Sequence, residues 1–118
     1  MMHRKIAAKE LAHFIGAITH PDRIRIIEEI QRDELDVSTL QDRLALAQAC
    51  VSRHLGIMRS EGIVIERREG RHVFYRLSVP ELALWLIKGL DLISEKTENK
   101  APLNKTFAAA KKRWGDAS

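Results

Sequence analysis

Between Val37 and Met58 two apolar helical stripes follow one another with only Ala45-Leu46-Ala47 between them. In the first stripe Ser38 opens the helix as its cap, Gln41 completes a capping box, and Leu40 and Leu44 face the core. In the second, over 48–60, Val51, Leu55 and Met58 fall at i, i+4 and i+7, which is one face of a helix. A break this short forces the two helices to turn sharply and pack against each other. Gly62 ends the second helix, as glycine often does just past a helix end.

The flanks fix what this pair of helices is built into. A first helix is expected over 4–19, where Ile6, Leu11, Phe14, Ile15 and Ile18 recur at roughly helical spacing. Pro21 opens a second helix, its missing N–H costing nothing at the first helical position, and Ile24, Ile27 and Ile30 form its stripe. After Gly62 the period changes. The runs 63–68 and 72–77 read as two strands joined by a turn at Glu69-Gly70-Arg71, with Gly70 free to take a positive φ. Pro80 opens a last long helix to about 98, with Leu82, Trp85, Leu86, Leu90 and Ile93 on its apolar face. Pro102 interrupts it, and a short extra helix through Thr106–Trp114 is expected in the tail. Four helices, a hairpin and a fifth helix, in that order, make a mainly α fold with a small β-hairpin: a winged helix-turn-helix. Residues 1–98 form the expected domain and 99–118 a basic tail.

Charge narrows the partner. Net charge is +4, and the excess sits in the middle and in the tail: between residues 47 and 76 six arginines face three glutamates, and between 94 and 118 six Lys/Arg face three Asp/Glu. Such a basic segment suits a polyanion. The single cysteine, Cys50, allows no disulfide within a subunit, which fits a reducing compartment. The longest apolar run, Leu82–Ile87, is too short to span a bilayer, so a cytoplasmic protein without a membrane partner is expected.

On the 48–60 helix, Ala49, Ser52, Arg53 and Gly56 lie opposite Val51, Leu55 and Met58. That small, polar face can enter the major groove of double-stranded DNA, which is roughly 12 Å wide. Gln48 can donate and accept at a base edge, Arg53 can pair with guanine or phosphate, and Ser52 can reach either. His54 has two readings: a DNA contact beside Ser52, or a ring packed near the hairpin. In the hairpin, Arg67, Arg68, Arg71 and His72 are candidate DNA contacts, with Arg71 at the tip suited to the minor groove. The competing reading is that Glu66 and Glu69 neutralise these arginines across the hairpin.

The segment Val37–Leu55, with its Val51-Ser52-Arg53-His54-Leu55 core, resembles the helix-turn-helix of ArsR-type (ArsR/SmtB) bacterial repressors. His20-Pro21-Asp22-Arg23-Ile24-Arg25-Ile26-Ile27 is similar to that family's second helix, and Gly62-Ile63-Val64 with Arg68–Leu77 to its wing. The resemblance covers residues 11–93 and implies a repressor that binds a near-palindromic operator as a homodimer. Ala47 departs from the pattern, standing where the family often has a capping serine.

The family's usual effector sites do not map onto this chain. Asp36-Val37-Ser38 occupies the place of the Cys-Val-Cys of its metal sensors, and residues 80–98 contain no histidine. No metal site and no cofactor are therefore expected, and the effector is left unspecified. Cys50 and His54 lie one helical turn apart. They are a small thiol with a neighbouring ring, a redox-sensitive pair, or part of a metal site whose further ligands have no evident source. A thiol enzyme would need an orienting acid and a pocket that the sequence does not offer, so no catalytic residue is expected. Homodimerisation is expected through the first and last helices, using Phe14, Ile15, Trp85, Leu86 and Ile93, an apolar surface too large for one small domain to hide.

Overall fold

The structure, a computed structural model, describes residues 2–96 and 101–115. The elements run α1 (Met2–Gly16), α2 (Pro21–Ile30), β1 (Leu35–Asp36), α3 (Val37–Leu44), α4 (Gln48–Ser60), β2 (Val64–Glu69), β3 (His72–Leu77), α5 (Leu82–Lys96) and α6 (Ala101–Gly115). They divide into two compact units, one up to Ser78 and one from Val79. The expected boundary near 98 thus lies inside the second unit, because α5 pairs with α6, tied by Lys111 to Asp91 at 2.8 Å.

The first unit is a three-helix core with a wing. Ile26, Ile27 and Ile30 of α2, Leu40 and Leu44 of α3, and Val51, Leu55 and Met58 of α4 are buried together with Ile63, Val64 and Leu77. By contrast α1 buries none of its residues, and the core is entered only by Ala17 and Ile18 just beyond its end. The helix also stops at Gly16, short of the expected residue 19.

Asp36, not Ser38, caps α3. Its carboxylate accepts from the Thr39 N–H at 2.9 Å, so the helix starts two residues earlier than a capping box with Ser38 as its cap allows. Hydrogen bonding from Thr39, through its side chain first and its backbone N–H second, holds the Asp36 carboxyl below the usual carboxylate range. At the other end Ala45 sits in the left-handed region (φ 55) and returns its N–H to the Gln41 carbonyl. An alanine Cβ in that region costs about 1–2 kcal/mol, only partly offset by the entropy a glycine would lose. Ala45→Gly should therefore stabilise the fold by about 0.5–1 kcal/mol in urea denaturation; a destabilised variant would contradict the left-handed assignment. No side chain caps α4, as the sequence suggested from Ala47.

The sheet is antiparallel with order β1-β3-β2. β2 and β3 pair from Val64↔Leu77 to Glu69↔His72, leaving a two-residue turn in which Gly70 takes φ +61. β1 adds Leu35↔Tyr75 and Asp36↔Phe74 on the outer edge of β3. A strand of two residues carries no readable period, which is why it is absent from the sequence expectation. Arg59 of α4 pairs with Glu66 of β2 at 2.9 Å, fastening the wing to the helix beside it.

In the second unit Leu82, Ala83 and Trp114 are buried. Pro80 lies in a turn before α5, whose first helical residue is Leu82 and not Pro80 as expected. Pro102 starts a helix where the sequence reading had it only interrupting one: it is the second residue of α6, which runs longer than the expected 106–114. The expected end of the long helix near 98 lies outside the described residues. Among the described residues no helix is long and apolar enough to cross a membrane.

Candidate nucleic-acid interface

The face of α4 is set by what its other side buries. Val51, His54, Leu55 and Met58 lie at i, i+3, i+4 and i+7 and are all buried. Gln48, Ala49, Ser52 and Arg53 are thereby turned outward and are exposed, while Cys50 is half-buried between the two faces. The exposed four present two short side chains, one amide and one guanidinium.

His54 is a correction to its reading as a DNA contact. It is 1% exposed, and its Nδ1 accepts from Arg23 Nε at 3.1 Å. Its ring lies 4.5 Å from that of His20. A ring so enclosed cannot reach a groove or phosphate. The signal was in the sequence, since 54 falls on the same stripe as 51, 55 and 58. Burial holds the imidazole below its ordinary titration range, assisted by the electrostatic influence of His20 and by the guanidinium charges of Arg23 and Arg53.

Arg67 is the second correction. Its guanidinium donates to Glu34 through Nε at 2.9 Å and through Nη2, and to Glu69 through Nη1 at 2.8 Å. It also lies 5.0 Å over the Phe74 ring. Neutralised by two carboxylates and stacked, it braces the wing and is not a free cation. Sequence reasoning named Glu69 as a neutralising partner but not Glu34, which is 33 positions away and reaches Arg67 through the turn before β1.

The remaining wing candidates stay on the surface. Arg68, Arg71 and His72 are exposed, and neither arginine forms an ion pair with a described residue. Nδ1 of His72 lies 3.6 Å from Asp36. Arg53 and Arg76 are likewise exposed and outside any ion pair with a described residue. Arg25 was missed in the sequence reading. It donates to Asp22 at 3.0 Å and to the Leu44 carbonyl at 2.9 Å, pinning the end of α3 where the turn to α4 begins.

Of the expected dimer residues, Ile15, Trp85 and Ile93 are exposed and Phe14 and Leu86 half-buried. The exposed apolar set on α5 also includes Leu84 and Leu92.

His20, Asp22 and His54 bring three possible metal-ligand atoms within 4.8 Å of one another. The hydrogen bonds argue against a cation there. Nδ1 of His20 accepts from the Asp22 N–H, and Nδ1 of His54 accepts from Arg23, so each neutral ring carries its proton on Nε2. A metal ion at Nε2 would have to reverse both tautomers beside a guanidinium.

A short helix, a tight turn, a second helix with one small polar face outward and a basic two-stranded wing define a winged helix-turn-helix protein. Comparisons with known proteins agree. The sequence profile of the bacterial regulatory proteins of the arsR family matches residues 20–66. The chain is 37% identical over 71 residues to a transcriptional repressor SmtB homolog of Synechocystis, an alignment covering 60% of this chain and 54% of that protein. It is 32% identical over 76 residues to the biofilm growth-associated repressor of Xylella fastidiosa, covering 64% of this chain and 67% of the relative. The crystal structure of Rv0081 from Mycobacterium tuberculosis superposes with a TM-score of 0.72 at 27% identity, covering 80% of this chain and 96% of the other. The chain thus spans about half to two-thirds of the length of these two curated relatives. It belongs to the ArsR family of bacterial transcriptional regulators.

Proposed function

We propose that this chain is a cytoplasmic homodimeric repressor, without enzymatic activity, that binds a near-palindromic double-stranded operator. In this reading α4 enters the major groove with Gln48, Ala49, Ser52 and Arg53, and the wing follows the backbone with Arg68, Arg71 and His72. The observation that carries it is the segregation of charge. Arg59 and Arg67 are locked in ion pairs that hold the wing in place, while exposed Arg53, Arg68 and Arg71 pair with no described carboxylate. Cations on α4 and the wing that pair with no described carboxylate are what a polyanion would neutralise.

Helix and wing then divide the work, because phosphate contacts position and base contacts specify. Arg71→Ala should weaken binding to specific and random duplexes alike and reduce the salt slope by about one unit. Gln48→Ala should cost about 1–3 kcal/mol on the preferred site, with non-specific binding and salt slope nearly unchanged. The measurement is anisotropy titration of both variants, at several salt concentrations, on a duplex selected by the protein from a random pool and on an unselected one. Equal losses on both duplexes would refute the division. No loss in either variant would favour a winged-helix module that binds protein and not DNA.

A further inference from the structure

The His54 cluster is left unused by the interface, and it is built across three helices. Arg23 of α2 donates through Nε to His54 of α4 and through Nη1 to the Ala17 carbonyl just after α1, both at 3.1 Å. One guanidinium therefore ties the end of α1 to the buried side of α4. Nε2 of His54 is buried without a hydrogen-bond partner among the described residues, so the Nδ1 bond is the one hydrogen bond the ring makes with them. The exposed Gln48, Ala49, Ser52 and Arg53 ride on the opposite side of the same helix.

We propose that the Arg23–His54 hydrogen bond is a proton-sensitive latch that seats α4, and that protonating His54 opens it and weakens DNA binding. The inference rests on the DNA-binding reading above. Its chemistry is local. Neutral His54 offers Nδ1 as an acceptor; protonated, it offers an N–H. Two donors then face each other, both cationic, in a site from which water is excluded. Arg23 must withdraw, and its tie to Ala17 is strained with it. The charges around the ring reinforce this. Burial, His20, Arg23 and, on α4 itself, Arg53 all disfavour a positive charge on His54, and only Asp22 favours one. That carboxylate is shared with Arg25. Cys50 lies one turn earlier on α4. From the α1 side His13 faces Glu61 at 3.6 Å, and this pair lines the same cavity as Arg23.

The sign of the pH effect follows. An imidazole in the unfolded chain takes its proton near pH 6.5, whereas buried His54 takes it only at lower pH. Above about pH 6.5 the group contributes no pH dependence; below it the latched fold loses stability progressively. Ordinary protein–DNA electrostatics run the other way, since any positive charge gained on the binding face in acid strengthens binding to a polyanion.

The test uses the full chain. NMR follows the His54 ring C2–H and the Arg23 Nε–H from pH 7.5 to 5.0, and anisotropy follows affinity for the selected duplex over the same range. The Arg23 Nε–H signal should disappear with the same midpoint as the His54 titration, below 6.5, and wild-type affinity should fall at least tenfold. In His54→Asn an amide oxygen replaces Nδ1 and cannot titrate, so the acid loss should vanish whatever the affinity at pH 7.5. An Arg23 Nε–H signal that persists through the His54 titration overturns the latch, and so does an equal acid loss in His54→Asn. Should that variant fail to fold, the wild-type titration alone decides. If ring and guanidinium titrate together while no duplex binds at any pH, the latch stands and the DNA-binding reading fails.

Discussion

Leu55→Ala should lower the unfolding free energy by about 2–5 kcal/mol. Leu55 is fully buried, on the stripe of α4 that joins Val51 and Met58 to the isoleucines of α2 and to Leu40. Truncation removes transfer free energy and leaves a cavity. Val51, Met58, Ile26, Ile27 and Leu40 of the same core are themselves fully buried, and how far they relax into the cavity sets where in that range the loss falls. Against a typical total of about 5–15 kcal/mol, the loss is a large fraction of all stability. Ser52→Ala, three residues away on the exposed face, should change stability by no more than about 0.5 kcal/mol. Urea denaturation compares the two through the transition midpoint at unchanged slope. A Leu55→Ala cost below about 1 kcal/mol would mean that α4 is not seated on this core.

The contrast between these two residues shows where the sequence was legible. Period 3.6 over Val51, Leu55 and Met58, a shift to period 2 after Gly62, and Gly70 between two strands locate α4, β2, β3 and the outward face without any tertiary knowledge. They do so because each element is long enough to show its period. What escaped the sequence depends on contacts between distant positions. β1 is two residues long and exists only by pairing with β3. Arg67 reads as a free wing cation until Glu34 arrives through the fold. Arg25 reads as a surface charge until the α3 carbonyl end lies over it. His54 stands apart from these: spacing placed it on the core stripe, and only the habit of counting histidine as polar put it on the DNA side. The cap of α3 was misjudged for a different reason. Asp36 and Ser38 are both good capping residues, and only the backbone decides which one has the extended conformation of a cap.

Replacing Trp85 and Ile93 together by glutamate should dissociate the proposed homodimer and reduce affinity for the selected operator by about two to four orders of magnitude. Both residues are about half exposed on α5, and Leu84 and Leu92 beside them are more exposed still. Large apolar side chains gathered on one helix mark an interaction surface. Burying a tryptophan or isoleucine stabilises association by roughly 1.5–3 kcal/mol per side chain. A two-fold interface uses the same patch on both protomers, so each substitution is felt twice. The double variant would place four carboxylates where four apolar groups met, each costing several kcal/mol if buried unpaired. The effect on DNA follows from geometry, not from any change at α4. Two linked α4 helices engage two half-sites, the second binding as an intramolecular event; a monomer engages one and loses that advantage. Non-specific binding per protomer should fall much less, because Arg53, Arg68 and Arg71 remain in place. Sedimentation at tens of micromolar should show the wild type at twice 13.5 kDa and the variant at 13.5 kDa. Far-UV circular dichroism checks that the helices persist. A variant that remains dimeric would remove α5 from the interface. A folded monomer that binds the operator as tightly as wild type would show that recognition needs only one α4 helix.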